Sequence, residues 1–123
     1  MGRLLVNLSS SLLLLCLISG GSMMVRSQSD QNNTITWCVA KPSSDEVALL
    51  DNINYACSIV NCTIFQEGYS CFYPNNSISH ASIAMNLYYQ SSGRNYWNCY
   101  FNSSGLIVST DPSFGDCVYQ FGN

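Results

Sequence analysis

The sequence predicts a small, disulfide-stapled α+β domain, in which two α-helices pack on a short antiparallel β-hairpin between long loops. Three observations predict this fold class: two segments with apolar residues at helical spacing, a later run of β-forming residues interrupted by a glycine-containing turn, and six cysteines spread over the same region. A chain of 123 residues allows one such domain at most.

The first 27 residues have the order of a secretory signal peptide. Arg3 precedes an apolar run over 12–18, and small residues follow at 19–22. The run is too short to span a bilayer core of roughly 30 Å. Cleavage can follow Ser22 or Ser27. We therefore expect a secreted, extracellular protein without a membrane span.

The charge balance excludes one class of partner. With cleavage after Ser27, the mature chain 28–123 carries Lys41 and Arg94 against seven acidic residues, a net charge of −5. Nucleic-acid binding needs a basic surface. We expect no nucleic-acid partner.

Six cysteines remain after the leader and its Cys16 are removed: Cys38, Cys57, Cys62, Cys71, Cys99 and Cys117. Export favours disulfides, and each bridge contributes about 2–4 kcal/mol to a small domain. A zinc site is disfavoured because the chain has one histidine and no Cys-x-x-Cys pair. We predict three disulfides, no metal and no cofactor, and the spacing leaves all fifteen pairings open.

Four Asn-x-Ser/Thr sequons predict N-glycosylation in the mature chain: Asn32, Asn61, Asn75 and Asn102. The sequon at Asn61 is the weakest, because its middle residue, Cys62, is expected to be bridged.

The mature chain divides into a flexible polar lead-in (28–36), one domain (37–119) and a short tail (120–123). The first helix is predicted over 44–57, where a capping box of Ser43 and Glu46 precedes an apolar stripe.

A second helix begins after a cap at Ser77 or Ser79 and ends at the Ser-Ser-Gly of 91–93. Residues 96–101 and 106–108 then predict the two strands of the hairpin.

Seven segments together resemble the plant X8 domain, also called carbohydrate-binding module family 43. They lie at 37–41 (Trp-Cys-Val-Ala-Lys), 55–57, 68–75 (Gly-Tyr-Ser-Cys-Phe-Tyr-Pro-Asn), 80–82, 86–90, 99–101 and 111–117 (Asp-Pro-Ser-Phe-Gly-Asp-Cys). The resemblance covers 37–119 and is closest to the free, pollen-type modules. It implies an α+β module of the cell wall (apoplast) that binds β-1,3-glucan such as callose or laminarin, with the pairs Cys38–Cys99, Cys57–Cys62 and Cys71–Cys117.

A noncatalytic glycan site needs aromatic faces for the CH faces of sugars and polar groups for their hydroxyls. If Cys99 and Phe101 point inward from a strand, then Tyr96, Asn98 and Tyr100 share its outer face and form a sugar platform. The alternative is an ordinary solvated strand face.

Aromatic and amide residues outside this platform are also candidates for the core or for glycan contact. On the second helix, Tyr89 and Gln90 are predicted to lie on the polar side, either as secondary glycan contacts or as an ordinary helix surface, whereas Tyr88 is predicted to lie in the core. Trp37 and Trp97 are expected inside the domain or over a bridge, with sugar stacking as the alternative.

Two further polar residues have simple local roles. His80 is expected to cap or pack within the second helix, and Arg94 to be a solvent-exposed charge, with a contact to a glycan hydroxyl as its alternative.

A small glycoside hydrolase is the enzymatic alternative. It would need two carboxyls about 5–10 Å apart across a cleft. The candidates are Asp45, Glu46, Asp51, Glu67, Asp111 and Asp116. Because roughly 96 residues rarely build both a cleft and its supporting shell, we predict no catalytic residues.

A third class of function is docking rather than glycan binding. The module could act as a secreted partner of a wall β-1,3-glucanase or another protein. The cysteine pattern of lipid-transfer proteins is absent, and no C-terminal lipid-anchor signal is seen. We expect a monomer.

Overall fold

A computed structural model of the protein describes residues 34–122. The predicted signal peptide, the lead-in up to residue 33 and the sequon at Asn32 lie outside the described residues. The elements in chain order are β1 (Trp37–Ala40), α1 (Glu46–Cys57), a first 3₁₀ helix (Thr63–Phe65), α2 (Ser77–Ser91), a second 3₁₀ helix (Tyr96–Cys99) and β2 (Gly105–Val108).

The fold class is confirmed, but one of the two strands is not where we predicted it. The two-stranded antiparallel sheet pairs β1 with β2, with Trp37 opposite Val108 and Ala40 opposite Gly105. The prediction of a strand over 96–101 is wrong, because residues 96–99 form the second 3₁₀ helix. The sheet therefore joins the two ends of the domain instead of two neighbouring segments.

The turn between the second 3₁₀ helix and β2 explains this difference. Its residues Phe101, Asn102 and Ser103 all have left-handed backbone, with φ of 42°, 54° and 71°. The turn brings the backbone of Gly105 directly against the carbonyl of Cys99. β2 then pairs with β1 instead of with residues 96–101.

The helices begin at carboxamide and carboxylate caps rather than at the predicted serines. The Asp45 side chain accepts a 2.9 Å hydrogen bond from the backbone N–H of Ala48, and the Asn76 side chain accepts one of the same length from Ser79. The capping box predicted at Ser43 is therefore wrong. Asp and Asn are among the strongest N-caps, and Asp45 also brings negative charge to the helix N-terminus.

The two helices run in the same direction. Near their N-termini the Ser77 hydroxyl donates to the Glu46 carboxylate at 2.6 Å, and near their C-termini the rings of Tyr55 and Tyr88 are 5.4 Å apart. The long connection over 58–76 returns the chain to the start of α2. Both helices thus present their C-terminal ends on one side of the domain.

α2 lies at the centre of the fold and packs into two buried clusters. Successive residues of β1 alternate between these clusters, as expected for a strand. The first cluster contains Cys38, Ala40, Leu49, Ala81, Met85, Tyr89 and Cys99. The second contains Trp37, Cys71, Ile83, Cys117 and Tyr119.

A line of polar side chains along α2 satisfies the free edge of β1. The Ser82 hydroxyl accepts from the backbone N–H of Ala40 at 2.9 Å, and Asn86 Oδ1 accepts from that of Cys38 at 3.1 Å. One turn farther on, Gln90 Nε2 donates to the carbonyl of Thr36 at 3.0 Å. α2 therefore takes the place that a third strand would have, with side chains acting as the hydrogen-bonding partners.

The same polar line holds the carboxyl-terminal segment. Asn86 Nδ2 donates to the carbonyl of Gln120 at 2.9 Å, and the N–H of Gly122 donates to Gln90 Oε1 at 2.8 Å. The residues that we predicted as a tail are thus hydrogen-bonded to the domain as far as Gly122.

The six cysteines are joined in the three pairs that the resemblance implies: Cys38–Cys99, Cys57–Cys62 and Cys71–Cys117. Within residues 34–122, no helix is both long and apolar enough to cross a membrane.

The Asp-Pro-Ser motif at 111–113 anchors the segment that follows it. The Asp111 carboxylate accepts from the Ser113 hydroxyl at 2.6 Å, which lowers the pKa of Asp111. The Ser113 hydroxyl oxygen accepts in turn from the backbone N–H of Tyr119 at 2.8 Å. The motif thereby directs the Tyr119 side chain into the second cluster.

Burial of Tyr119 makes the free energy of unfolding depend on pH in the alkaline range. Burial raises the pKa of Tyr119 to about 12, whereas an unfolded tyrosine has a pKa near 10. The free energy of unfolding is therefore unaffected by this group below pH 10 and falls by about 2–3 kcal/mol as the pH rises from 10 to 12. Urea unfolding across this range measures the loss, and Tyr119→Phe should flatten it. An equal loss in wild type and Tyr119→Phe would contradict this assignment.

Candidate functional site

Two of the predicted platform residues lie at the surface. The side chain of Tyr96 is 75% exposed and that of Tyr100 is 59% exposed. They are carried by the second 3₁₀ helix and the residue after it, not by the face of a strand.

Trp97 is exposed, contrary to the prediction that it lies inside the domain. Its side chain is 62% exposed, and its ring meets that of Tyr96 edge-on at 5.3 Å. A strand would place Trp97 and the buried Cys99 on the same face, but a 3₁₀ helix turns once every three residues and separates them. The change of period therefore adds an indole to the surface.

Three aromatic rings from three elements meet beside this helix. Tyr88 of α2 lies 5.4 Å from Tyr55 of α1 and 5.7 Å from Phe101, and the Tyr55 and Phe101 rings are 6.4 Å apart. Tyr88 is partly exposed rather than in the core, and Tyr55 is 52% exposed. Aromatic rings whose centroids lie at these separations make favourable edge-to-face contacts.

Asn98 joins the two groups of rings. Its Oδ1 accepts from the backbone N–H of Asn95 at 3.2 Å, and its side chain lies near the Tyr88 hydroxyl. The hydroxyls of Tyr55 and Tyr88 lie 3.5 Å apart. Hydrogen bonds from Tyr55 above all, and also from Ser92 and Asn98, lower the pKa of Tyr88, and the same contact raises that of Tyr55. Asn98 thus lies between the second 3₁₀ helix and the Tyr88 hydroxyl.

We call this set the aromatic surface. It lies where α1 and α2 both end, and it consists of Tyr55, Tyr88, Tyr96, Trp97, Tyr100 and Phe101. Such a surface offers flat apolar ring faces together with phenolic hydroxyls, the combination that suits a ligand with both CH faces and hydroxyl groups.

Tyr89 and Gln90 do not belong to the aromatic surface. They are 2% and 0% exposed, and the Tyr89 hydroxyl is hydrogen-bonded to Thr36 at 2.8 Å. The side-chain amide of Gln90 is hydrogen-bonded to Thr36, next to β1, and to the carboxyl-terminal segment. Their prediction as glycan contacts on a polar helix face is therefore wrong in this structure, because both lie on the side of α2 that faces β1.

The remaining singled-out residues have packing roles. His80 stacks on Phe65 with centroids 4.9 Å apart, and its Nε2 lies 2.7 Å from the carbonyl oxygen of Phe72. Arg94 is partly buried rather than free in solvent, with its guanidinium 4.9 Å from the centre of the Phe121 ring. Trp37 is buried, as predicted.

The six candidate carboxylates do not form an enclosed pair. All are exposed, and Asp45, Glu46 and Asp111 accept hydrogen bonds from neighbouring groups. Within the described part of the chain, no three side chains of His, Cys, Asp or Glu are grouped to hold a metal ion.

Sequence reasoning missed Tyr55 and misplaced Tyr88 and Trp97. Tyr55 stands among the residues of the apolar stripe of α1, so nothing in the sequence indicates that its side chain is exposed. The pattern Tyr-Ala-Cys at 55–57 places it beside a bridged cysteine, which fixes its position but not its direction.

Comparison with known proteins gives one family and several plant relatives. The profile of the X8 domain matches residues 36–106. A glucan endo-1,3-beta-D-glucosidase of Olea europaea is 46% identical over 89 residues, which are 72% of this chain and 19% of the relative. A glucan endo-1,3-beta-glucosidase of Triticum aestivum is 47% identical over 83 residues, 68% of this chain and 18% of the relative.

A shorter relative matches over most of its length. The major pollen allergen Ole e 10 of Olea europaea is 45% identical over 85 residues, 68% of this chain and 69% of the relative. The chain spans about a fifth of the length of the two glucosidases.

Proposed function

The chain belongs to the X8 domain family, and from this premise we propose that it is a secreted, noncatalytic module that binds β-1,3-glucan in the cell wall as a monomer. Two glucan endo-1,3-beta-glucosidases share this module over about a fifth of their length, so the resemblance concerns a part of those enzymes and not the whole. Secretion is supported by the predicted signal peptide.

The observation that carries the proposal is the exposed aromatic surface. Tyr96, Trp97 and Tyr100 provide ring faces on which the CH faces of glucose units stack, and their phenolic hydroxyls and indole N–H are groups that can hydrogen-bond to sugar hydroxyls. Tyr55 and Tyr88 extend this surface across both helices. Of the predicted contacts, Tyr96, Asn98 and Tyr100 remain in the proposal.

The noncatalytic part of the proposal is supported by the carboxylates. A glycosidase acid needs a raised pKa, which burial in an apolar site supplies. All six acidic side chains between residues 34 and 122 are exposed, and the pKa of Asp111 is lowered. The surface is therefore suited to holding a glucan and not to cleaving it.

Affinity electrophoresis tests the proposed function. The protein should be retarded in a native gel that contains laminarin, and not in gels that contain soluble cellulose or xylan. Incubation with laminarin should release no reducing ends. Unretarded migration in laminarin, with the three disulfides verified by mass, would overturn the proposal, and capture by a purified β-1,3-glucanase would then favour a docking role.

Substitution of Trp97 tests whether laminarin binds at the aromatic surface and not at exposed rings elsewhere. We expect Trp97→Ala to weaken laminarin binding by about tenfold or more, as for a central aromatic contact. Its free energy of unfolding should change by less than about 0.5 kcal/mol, because the side chain is largely outside the core.

Tyr73→Ala is the matched control for this experiment. Tyr73 is 74% exposed but lies before the opposite, N-terminal end of α2. Its removal should leave laminarin retention unchanged. Equal losses in the two variants, or no loss in Trp97→Ala, would contradict the assignment of the aromatic surface.

A further inference from the structure

The turn that precedes β2 carries one of the three sequons in the described part of the chain. From its position beside an open groove we propose that Asn102 bears an N-linked glycan and that this groove holds its first N-acetylglucosamine. The inference concerns a modification site and does not depend on glucan binding.

The turn presents Asn102 at the surface in a fixed conformation. Asn102 is exposed with φ of 54°, a left-handed conformation that Asn adopts more readily than most residues. Hydrogen bonds close the turn on both sides: the N–H of Ser104 donates to the Phe101 carbonyl at 3.0 Å, and the Ser103 hydroxyl donates to the Tyr100 hydroxyl at 2.9 Å. A sugar attached there would have a defined starting direction.

The third residue of the sequon sets the order of events. Ser104 is buried, its hydroxyl donates to the Phe101 carbonyl at 2.6 Å, and it accepts from Asn52 Nδ2 at 2.8 Å. A transferase that reads the Asn-x-Ser sequence needs this hydroxyl, so the glycan must be added before the turn closes. Folding then encloses Ser104 and leaves Asn102 outside.

A groove of about 250 Å³ lies between α1 and this turn, with Asn102 on its rim. Val47, Ala48 and Phe101 give it apolar walls, and Val47 is 69% exposed although it is aliphatic. The carboxylates of Asp45 and Asp51 also line it. This combination fits an acetamido sugar, whose CH face and methyl group need apolar contact and whose hydroxyls need acceptors.

The other two sequons do not line this groove. Asn61 follows α1 next to the Cys57–Cys62 bridge, and its Oδ1 accepts from the backbone N–H of Thr63 at 2.9 Å. Asn75 is exposed just before the N-cap of α2. A glycan at Asn75 therefore serves as the internal control.

The experiment uses the full chain secreted from a yeast that adds high-mannose glycans. Peptide mass mapping reads the occupancy of each sequon. One portion is then trimmed with endoglycosidase H, which leaves a single N-acetylglucosamine, and another with peptide N-glycosidase F, which leaves aspartate. We expect Asn102 to be occupied and the trimmed protein to melt about 4 °C or more above the fully deglycosylated protein.

Three variants isolate the groove. Asn75→Gln should keep this difference in melting temperature, and Asn102→Asp should melt like the fully deglycosylated protein. Val47→Glu should leave Asn102 occupied but reduce the difference by at least half, because the apolar wall is lost. An unmodified Asn102, or equal melting of the two enzyme-treated forms, would overturn the proposal.

Discussion

Gly105→Ala should unfold most of the domain. A Cβ atom at this position would lie 1.7 Å from the carbonyl oxygen of Cys99 and 2.8 Å from its carbonyl carbon, so the backbone itself must move. Cys99 is held by its bridge to Cys38, and Gly105 begins the strand that pairs with β1. Relief of the clash therefore costs either the sheet or the bridge, and we expect a loss of about 4 kcal/mol or more.

Gly115→Ala is the control for this experiment. Gly115 has φ of 53°, but an added Cβ would contact nothing within 4 Å, so only the strain of the left-handed conformation remains. That strain costs about 1–2 kcal/mol. Urea unfolding followed by circular dichroism compares the two variants. Equal midpoints would show that the approach of β2 to Cys99 is not as tight as described.

Asn86→Ala should destabilise the protein by about 2–4 kcal/mol. The substitution removes one hydrogen-bond partner from each of three groups: the buried N–H of Cys38, the buried amide of Gln90, which keeps its bond to Thr36, and the partly buried carbonyl of Gln120. An unsatisfied buried group costs about 1–3 kcal/mol, and partial rearrangement or entry of water lowers the sum. The loss should appear in both the sheet edge and the carboxyl-terminal segment.

Asn54→Ala is the control for Asn86→Ala, because it makes the same change of side chain at an exposed position. Asn54 is exposed on α1, so its substitution should change the free energy of unfolding by no more than about 0.5 kcal/mol. Hydrogen exchange of the Cys38 amide adds a local measurement, and protection there should be lost in Asn86→Ala. A loss of stability no greater than that of Asn54→Ala would contradict the role of α2 as a substitute strand.

The helices and the number of disulfides could be predicted because their signals are local. Apolar spacing marks α1 and α2, and export with six cysteines indicates bridges. The helix starts moved by one or two residues because Asp45 and Asn76 take the cap positions, and Asp, Asn and Ser are about equally good N-caps. Such competition within one turn is difficult to resolve from sequence alone.

The sheet could not be predicted because its partners are far apart in the chain. β1 and β2 have four residues each, too few to show an alternating pattern, and Trp37 pairs with Val108. The aromatic run at 96–101 has high β-propensity, but the bridge at Cys99 and the close approach of Gly105 impose a 3₁₀ turn instead. Tertiary contacts here outweigh local preference.

The candidate site was predicted in part, for a reason that differs from residue to residue. Tyr96 and Tyr100 are exposed as expected, although the strand used to argue it does not exist. Tyr89 and Gln90 were misplaced because α2 is covered on two sides, so polar side chains on it also face the interior. Their partners in β1 and the carboxyl-terminal segment become visible only in the folded chain.

The proposed function rests on a glucan lying across the aromatic surface. Titration of the ¹⁵N-labelled protein with a soluble laminari-oligosaccharide, followed by two-dimensional NMR, locates that contact residue by residue. We expect the largest shifts at the Trp97 indole N–H and the amides of 96–101, with the amides of 69–75 unchanged. Shifts centred on 69–75, or none at saturating oligosaccharide, would contradict glucan binding at the aromatic surface.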